Sequence, residues 1–275
     1  MMSEMQIKRG FVDVPEGQMF YREAGSGPPI VLIHQILRTS LDYKFVMPIL
    51  AASHRVIAFD SLGCGDSDAP KRPYSIEEHG TAIGQAMEAL YLGPVTIAGH
   101  HSGADIAMEV ALQRPDLIER AVFSGLGYIS DTSVLPELQA KASKLGDPET
   151  KLDGSHLLEI WEEGVRTNWG KPRFPEDRLD LMSDFFLEQI KTGPRRFEQY
   201  VAFFAYDATK KLPNVEVPIL FIRSTDDIFM CNAVEDWLHD QPGAKLAEIE
   251  VEGGGELPKL YPKPWARAVL EFTSQ

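Results

Sequence analysis

At 275 residues and 44% hydrophobic, the chain is long enough to bury a full core and suits one domain with an elaborated insertion. A formal charge of −14 argues against nucleic-acid or anionic-membrane partners, because phosphates would be repelled. No apolar run approaches the ~20 residues of a membrane span, and the opening stretch MMSEMQIKRGFVDVPEG lacks the apolar core of a signal peptide, so a cytoplasmic location is expected. Cys64 and Cys231 make neither a disulfide framework nor a metal spacing.

In chain order, IKRGFVDV and GQMFYREAG are short alternating runs punctuated by Gly and Pro, and read as an antiparallel pair. PPIVLIH (Pro28 to His34) and HRVIAFD (His54 to Asp60) are β-branched runs bounded by turn residues, the pattern of buried strands. GPVTIAG repeats that pattern and runs straight into a helix, GADIAMEVALQRP; LIERAVFSG, VPILFIRST and LAEIEVEGGG supply three further strands. Strands alternating with helices need crossover connections, so the expected class is α/β, with a mostly parallel sheet flanked by helices.

The alternation stops near Gly127 and resumes near Val215. Between lie amphipathic patterns, LLEIWEEGVRTNW and RLDLMSDFFLEQI, that predict helices. Residues 130–210 are thus expected to form a helical cap inserted into a core of residues 1–129 and 211–275. An apolar-lined cap over strand ends would close a pocket for a small organic ligand. Trp161, Trp169, Tyr200, Phe203, Phe204 and Tyr206 are candidate walls, with ordinary core packing the alternative for each.

The segment Gly99-His100-His101-Ser102-Gly103 has the frame of a G-x-S-x-G nucleophile elbow, with His101 where the serine belongs. The apex needs small residues two positions to either side, and the glycines satisfy that only for His101. Adjacent histidines at such a turn are expected to point apart. His34, His100, His101, Asp226 and Glu256 match no metal motif, so no metal is expected.

VLIHQ, FDSLGCGDSDAP (Phe59 to Pro70), IAGHHSGADIAMEVALQRPDLIERAVFSG, PILFIRSTDD and PWARAVLEF together resemble the α/β-hydrolase superfamily. The nearest branch is the capped one of epoxide hydrolases, dehalogenases, esterases and carbon–carbon hydrolases. The resemblance implies the α/β-hydrolase fold with an inserted cap. It places Asp226, with Asp227 beside it, at the triad acid, and Glu256 of GGGELPKLYP where the catalytic histidine would stand. Gln35 replaces the usual glycine of the oxyanion loop. His34 and His100 flank the apex, each with a structural role expected, and the N–H groups of Ser102 and of Gln35 or Ile36 are expected to form an oxyanion hole.

A Ser-His-Asp mechanism needs a hydroxyl, a base and an orienting acid, and only the third has a candidate. An imidazole at the apex remains a proton carrier near neutral pH. Glu256 could accept its N–H, fix its tautomer and stabilise the imidazolium. If Asp226 and Glu256 both face the pocket, their repulsion would raise one pKa and leave a carboxyl able to act as a general acid. The expectation is a cofactor-independent, hydrolase-like enzyme on a small organic substrate. Lyase, decarboxylase, cyclase or cofactor-free oxygenase chemistry, and a non-catalytic ligand-binding protein, are the alternatives. A homodimer is left open.

Overall fold

A computed structural model describes residues 6–146, 148–165, 167–168, 171–172, 174–225, 234–251 and 256–275. An antiparallel hairpin opens the chain, β1 (Lys8–Val14) and β2 (Gly17–Ala24), and β3 (Pro29–Ile33) and β4 (Arg55–Phe59) follow. Helix α1 (Ile76–Ala89) starts at a Ser75/Glu78 capping box, in which each side chain accepts from the other's backbone N–H. Next come β5 (Val95–His100), α2 (Ser102–Gln113) and β6 (Ile118–Ser124). Strand β7 (Ile219–Ser224), helix α7 (Val234–Asp240), β8 (Lys245–Ile249) and α8 (Pro262–Thr273) complete the frame.

The eight strands form one sheet in the order β1-β2-β4-β3-β5-β6-β7-β8. Every pair from β4 to β8 is parallel, and β2 meets β4 antiparallel. Alternate residues of β3 explain why its sequence is apolar throughout. Val31 and Ile33 enter the layer beneath α1 and α2, whereas Ile30 and Leu32 enter the layer shared with Trp265, Val269 and Phe272 of α8. From β3 the chain order runs outward both ways, to β4 on one side and β5 on the other. Ligand sites in open α/β sheets lie at the carboxyl ends of strands flanking such a switch point.

Between β6 and β7 the described residues are largely helical: α3 (Leu135–Ala142), α4 (Ser155–Ile160), α5 (Asp180–Thr192) and α6 (Glu198–Ala205). The helix expected across LLEIWEEGVRTNW is shorter than its pattern. It ends at Ile160, a wider turn spans Trp161–Val165, and Thr167–Asn168 pairs with Lys171–Pro172 as a two-residue ladder. Glycine and a β-branched residue at 164 and 165 are weak helix formers, which outweighed the apolar spacing. Among the described residues no helix is long and apolar enough to cross a membrane.

Candidate active site

The switch point brings together the ends of β3 and β5, and with them His34, Gln35, His100 and His101. His101 sits at φ 47° and ψ −124°, between the last residue of β5 and the first of α2. A non-glycine residue in that region costs of order 1–3 kcal/mol and persists only where its surroundings enforce it. Here two glycines leave room for it. A Cβ on Gly99 would overlap the backbone of Gly103, and one on Gly103 would overlap the carbonyls of Ile33 and His34. The His101 N–H donates to the Ser124 carbonyl at 2.8 Å, tying the apex to the end of β6.

The two adjacent rings do not point apart as expected. His100 and His101 stack, with centroids 4.1 Å apart and planes at 25°, because the left-handed apex folds the second side chain back over the first. His100 is fully buried, and its Nδ1 meets the Ser124 hydroxyl at 3.0 Å, to which Trp265 Nε1 also donates at 3.0 Å. The partly exposed His101 ring places Nδ1 3.0 Å from Gln35 Oε1. With the amide oxygen facing it, Nδ1 carries the proton and Nε2 the lone pair.

His34 is held at both ring nitrogens. Its Nε2 accepts the Ser61 N–H at 2.9 Å, so its Nδ1–H donates to the Gln35 carbonyl at 2.8 Å. Burial holds its pKa below the ordinary histidine value. The expected oxyanion donors are not both directed at a substrate: the Ile36 N–H donates to the Ser102 hydroxyl at 2.8 Å.

Glu256 is 4% exposed and caps the short helix Leu257–Leu260. Its Oε2 pairs closely with Arg38 Nη2, and Nδ1 of His101 meets Gln35. Gln35 and Arg38 are the two ends of one turn, closed by an Arg38 N–H to Gln35 carbonyl bond of 3.2 Å. That turn, with Leu37 at φ 63°, therefore touches both His101 and Glu256.

Arg38 opens a buried ionic cluster that sequence reasoning missed. Its guanidinium lies 3.6 Å from Asp42 and 3.4 Å from Glu188, and 3.4 Å over the Phe185 ring. Lys259 Nζ reaches Glu188 at 2.7 Å and Asp42 at 3.7 Å. Three carboxylates thus share two cations. Burial, opposed by Arg38 and Lys259, pushes the Asp42 carboxyl up to about 7. Glu188 belongs to α5, and the neighbouring Gln189 donates to the Leu37 carbonyl at 2.6 Å, so α5 is fastened to the turn. The i,i+4 spacing of Arg38 and Asp42 was the one signal of this cluster in the sequence.

The aromatic candidates divide. Trp161 packs edge-on against Phe186 in a satellite apolar cluster with Phe185 and Leu181. Tyr200 and Phe204 are half-buried and stack at 6.4 Å, and Phe203 packs against the main core. Tyr206 is buried and donates to Glu109 of α2 at 2.8 Å, so it is a core residue and not a wall. Asp226, Asp227 and Trp169 lie outside the described residues. Among those described, no three His, Cys, Asp or Glu side chains group to hold a metal ion.

The alpha/beta hydrolase fold family model matches residues 28–150. A proline iminopeptidase of Heyndrickxia coagulans is 31% identical over 236 residues, 77% of this chain and 80% of that protein. An uncharacterized protein of Mycobacterium bovis is 38% identical over 110 residues, but the match spans only 40% of this chain and 32% of that protein's length. Among solved structures, the enol-lactonase from Burkholderia xenovorans LB400 superposes with a TM-score of 0.77 at 21% identity, covering 97% of this chain and all (100%) of that one.

Proposed function

This chain belongs to the alpha/beta hydrolase fold family, and on that premise we propose that it is a cofactor-independent, hydrolase-like enzyme acting on a small organic substrate through His101. The observation that carries the reading is the apex: an imidazole held at φ 47° with Nδ1 on Gln35. A position that demands strain, and two glycines to permit it, is kept while the hydroxyl is exchanged for a proton carrier. Loss of function by drift would as readily have left alanine there.

In this reading His101 Nε2 takes a proton from water as the water oxygen adds to an acyl carbon. The imidazolium then returns that proton to the departing alkoxide, giving an acid and an alcohol. Gln35 fixes the tautomer. Glu256 acts on His101 through Arg38 and the shared turn, and Asp226 is assigned the second carboxylate by its place in the family motif. The Ser102 N–H supplies one oxyanion donor; the Ile36 N–H becomes a second when the Ser102 hydroxyl turns away. Relatives named enol-lactonase and proline iminopeptidase favour acyl compounds, lactones first among them.

The test is hydrolysis of a panel of lactones and activated esters. His101→Ala should abolish turnover, and Glu256→Gln should lower kcat by ~10²-fold, less than the ~10⁴ lost with an orienting acid in a serine triad. The double variant should be no worse than His101→Ala, since residues acting as a unit are not additive. No acyl-enzyme should accumulate by mass spectrometry. Undiminished turnover by His101→Ala would overturn the reading in favour of a binding protein.

A further inference from the structure

Away from the apex, a cleft of about 170 Å³ runs between the loop that follows β4 and the segment joining α5 to α6, with Leu62, Pro70, Tyr74, His79, Arg195 and Gln199 in its walls. His79 and Gln199 also line a much smaller chamber of about 10 Å³, which reaches His34, Ser61, Ile36 and Ser102. The two cavities therefore share a polar partition. His79 is 4% exposed, and among the described residues neither ring nitrogen has a hydrogen-bond partner, although the Tyr74 ring meets it edge-on at 5.5 Å. Gln199 spends its amide nitrogen on the Cys64 sulfur at 2.9 Å, which leaves its Oε1 as an acceptor with no partner among the described residues.

Gln199 is half-buried and His79 nearly fully so, and polar atoms that face a cavity take their hydrogen bonds from whatever fills it. From this geometry we infer a second ligand site, for a neutral molecule the size of a six-membered ring bearing one hydroxyl, such as a phenol or cyclic alcohol. The size follows from the cavity: an apolar cavity of about 150 Å³ suffices for benzene. The hydroxyl follows from the polar partition, where it donates to Gln199 Oε1 or to the bare ring nitrogen and accepts from the other ring N–H. Neutrality follows from the charges. Burial pushes the His79 pKa down to about 4, so the ring is uncharged near pH 7. At the mouth, Arg195 and Glu198 neutralise each other, with Nε to both carboxylate oxygens at 2.8 and 2.9 Å. The site holds whatever His101 does, and the small chamber has room for one water between the ligand and the Ser102 side of the elbow.

Phenol is the probe, titrated into full-length protein carrying ¹⁵N-labelled histidine, with benzene as the partner lacking a hydroxyl. Phenol should move the His79 ring signals and leave those of His101 in place, and should bind about tenfold more tightly than benzene. His79→Phe should erase that preference. Gln199→Leu should reduce it, and Ala69→Trp, at an exposed wall position that leaves His79 untouched, should block both probes. Equal affinity for phenol and benzene in the parent, binding that persists in Ala69→Trp, or shifts confined to His101 would each overturn the inference.

Discussion

Nδ1 of His101 lies 3.0 Å from Oε1 of Gln35, so the turn that follows β3 holds the imidazole at the head of α2. A neutral amide can fix a tautomer, but it cannot stabilise an imidazolium as a carboxylate does. Gln35→Glu should therefore raise the pKa of His101 relative to the parent, because an opposite charge within hydrogen-bond reach favours the protonated ring. Gln35→Leu should leave the pKa less changed but free the tautomer and lower kcat by about tenfold or more. The ring proton resonances of His101, followed against pH in both variants, decide the matter. Identical titrations would dissociate the two residues.

Ser102 gives a second test, because its hydroxyl accepts the Ile36 N–H at 2.8 Å and the residue offers no activated nucleophile. Fluorophosphonate probes should not label it. Ser102→Ala should release the Ile36 N–H and preserve or increase kcat/KM on any acyl substrate. Loss of turnover in that variant, or stoichiometric labelling of the parent at Ser102, would place the reactive hydroxyl where the elbow geometry does not.

What the sequence made legible was periodic or local. PPIVLIH is a run buried on both faces, and Pro29–Ile33 is the strand it forms. The elbow was readable because steric demand fixes glycine two positions either side of the apex. Side-chain partners drawn from remote segments were not. Gln35 and His101 are 66 positions apart, and Arg38 meets Glu256 only once β3 and the residues before α8 share one end of the sheet. Glu256 looked like an orienting acid because its motif position was known. Its ionic partner was hidden because a lone arginine after an oxyanion loop has no periodicity to announce its burial.

Arg38 and Glu256 carry opposite charges at 1% and 4% side-chain exposure. Removing one member of a buried pair strands the other, at a cost of about 3–5 kcal/mol. Glu188 and Asp42 still face Arg38 after Glu256→Leu, so a loss near the lower end, about 3 kcal/mol, is expected. Arg38→Met combined with Glu256→Leu should recover much of it. Urea midpoints at constant slope measure both. A single-variant loss below about 1 kcal/mol would reduce the pair to the standing of a surface contact.

The same cluster makes stability depend on pH through Asp42. Its carboxyl is pushed up to about 7 in the folded chain, against about 3.9 in an unfolded one. Between those values the native state binds the extra proton. The stabilisation is thus complete below about pH 4 and is lost as pH rises through about 7. His34 and His79 act in the opposite sense: burial keeps both neutral, and stability falls as acid protonates them in the unfolded chain. Their contribution is common to parent and variant and cancels in a difference. Asn has the shape of the protonated acid, so Asp42→Asn should lie nearest the parent in stability around pH 5, gain on it up to about pH 7 and level off above that. Urea unfolding of both proteins across that interval measures the gain. If the difference stays level with pH, Asp42 does not hold the proton.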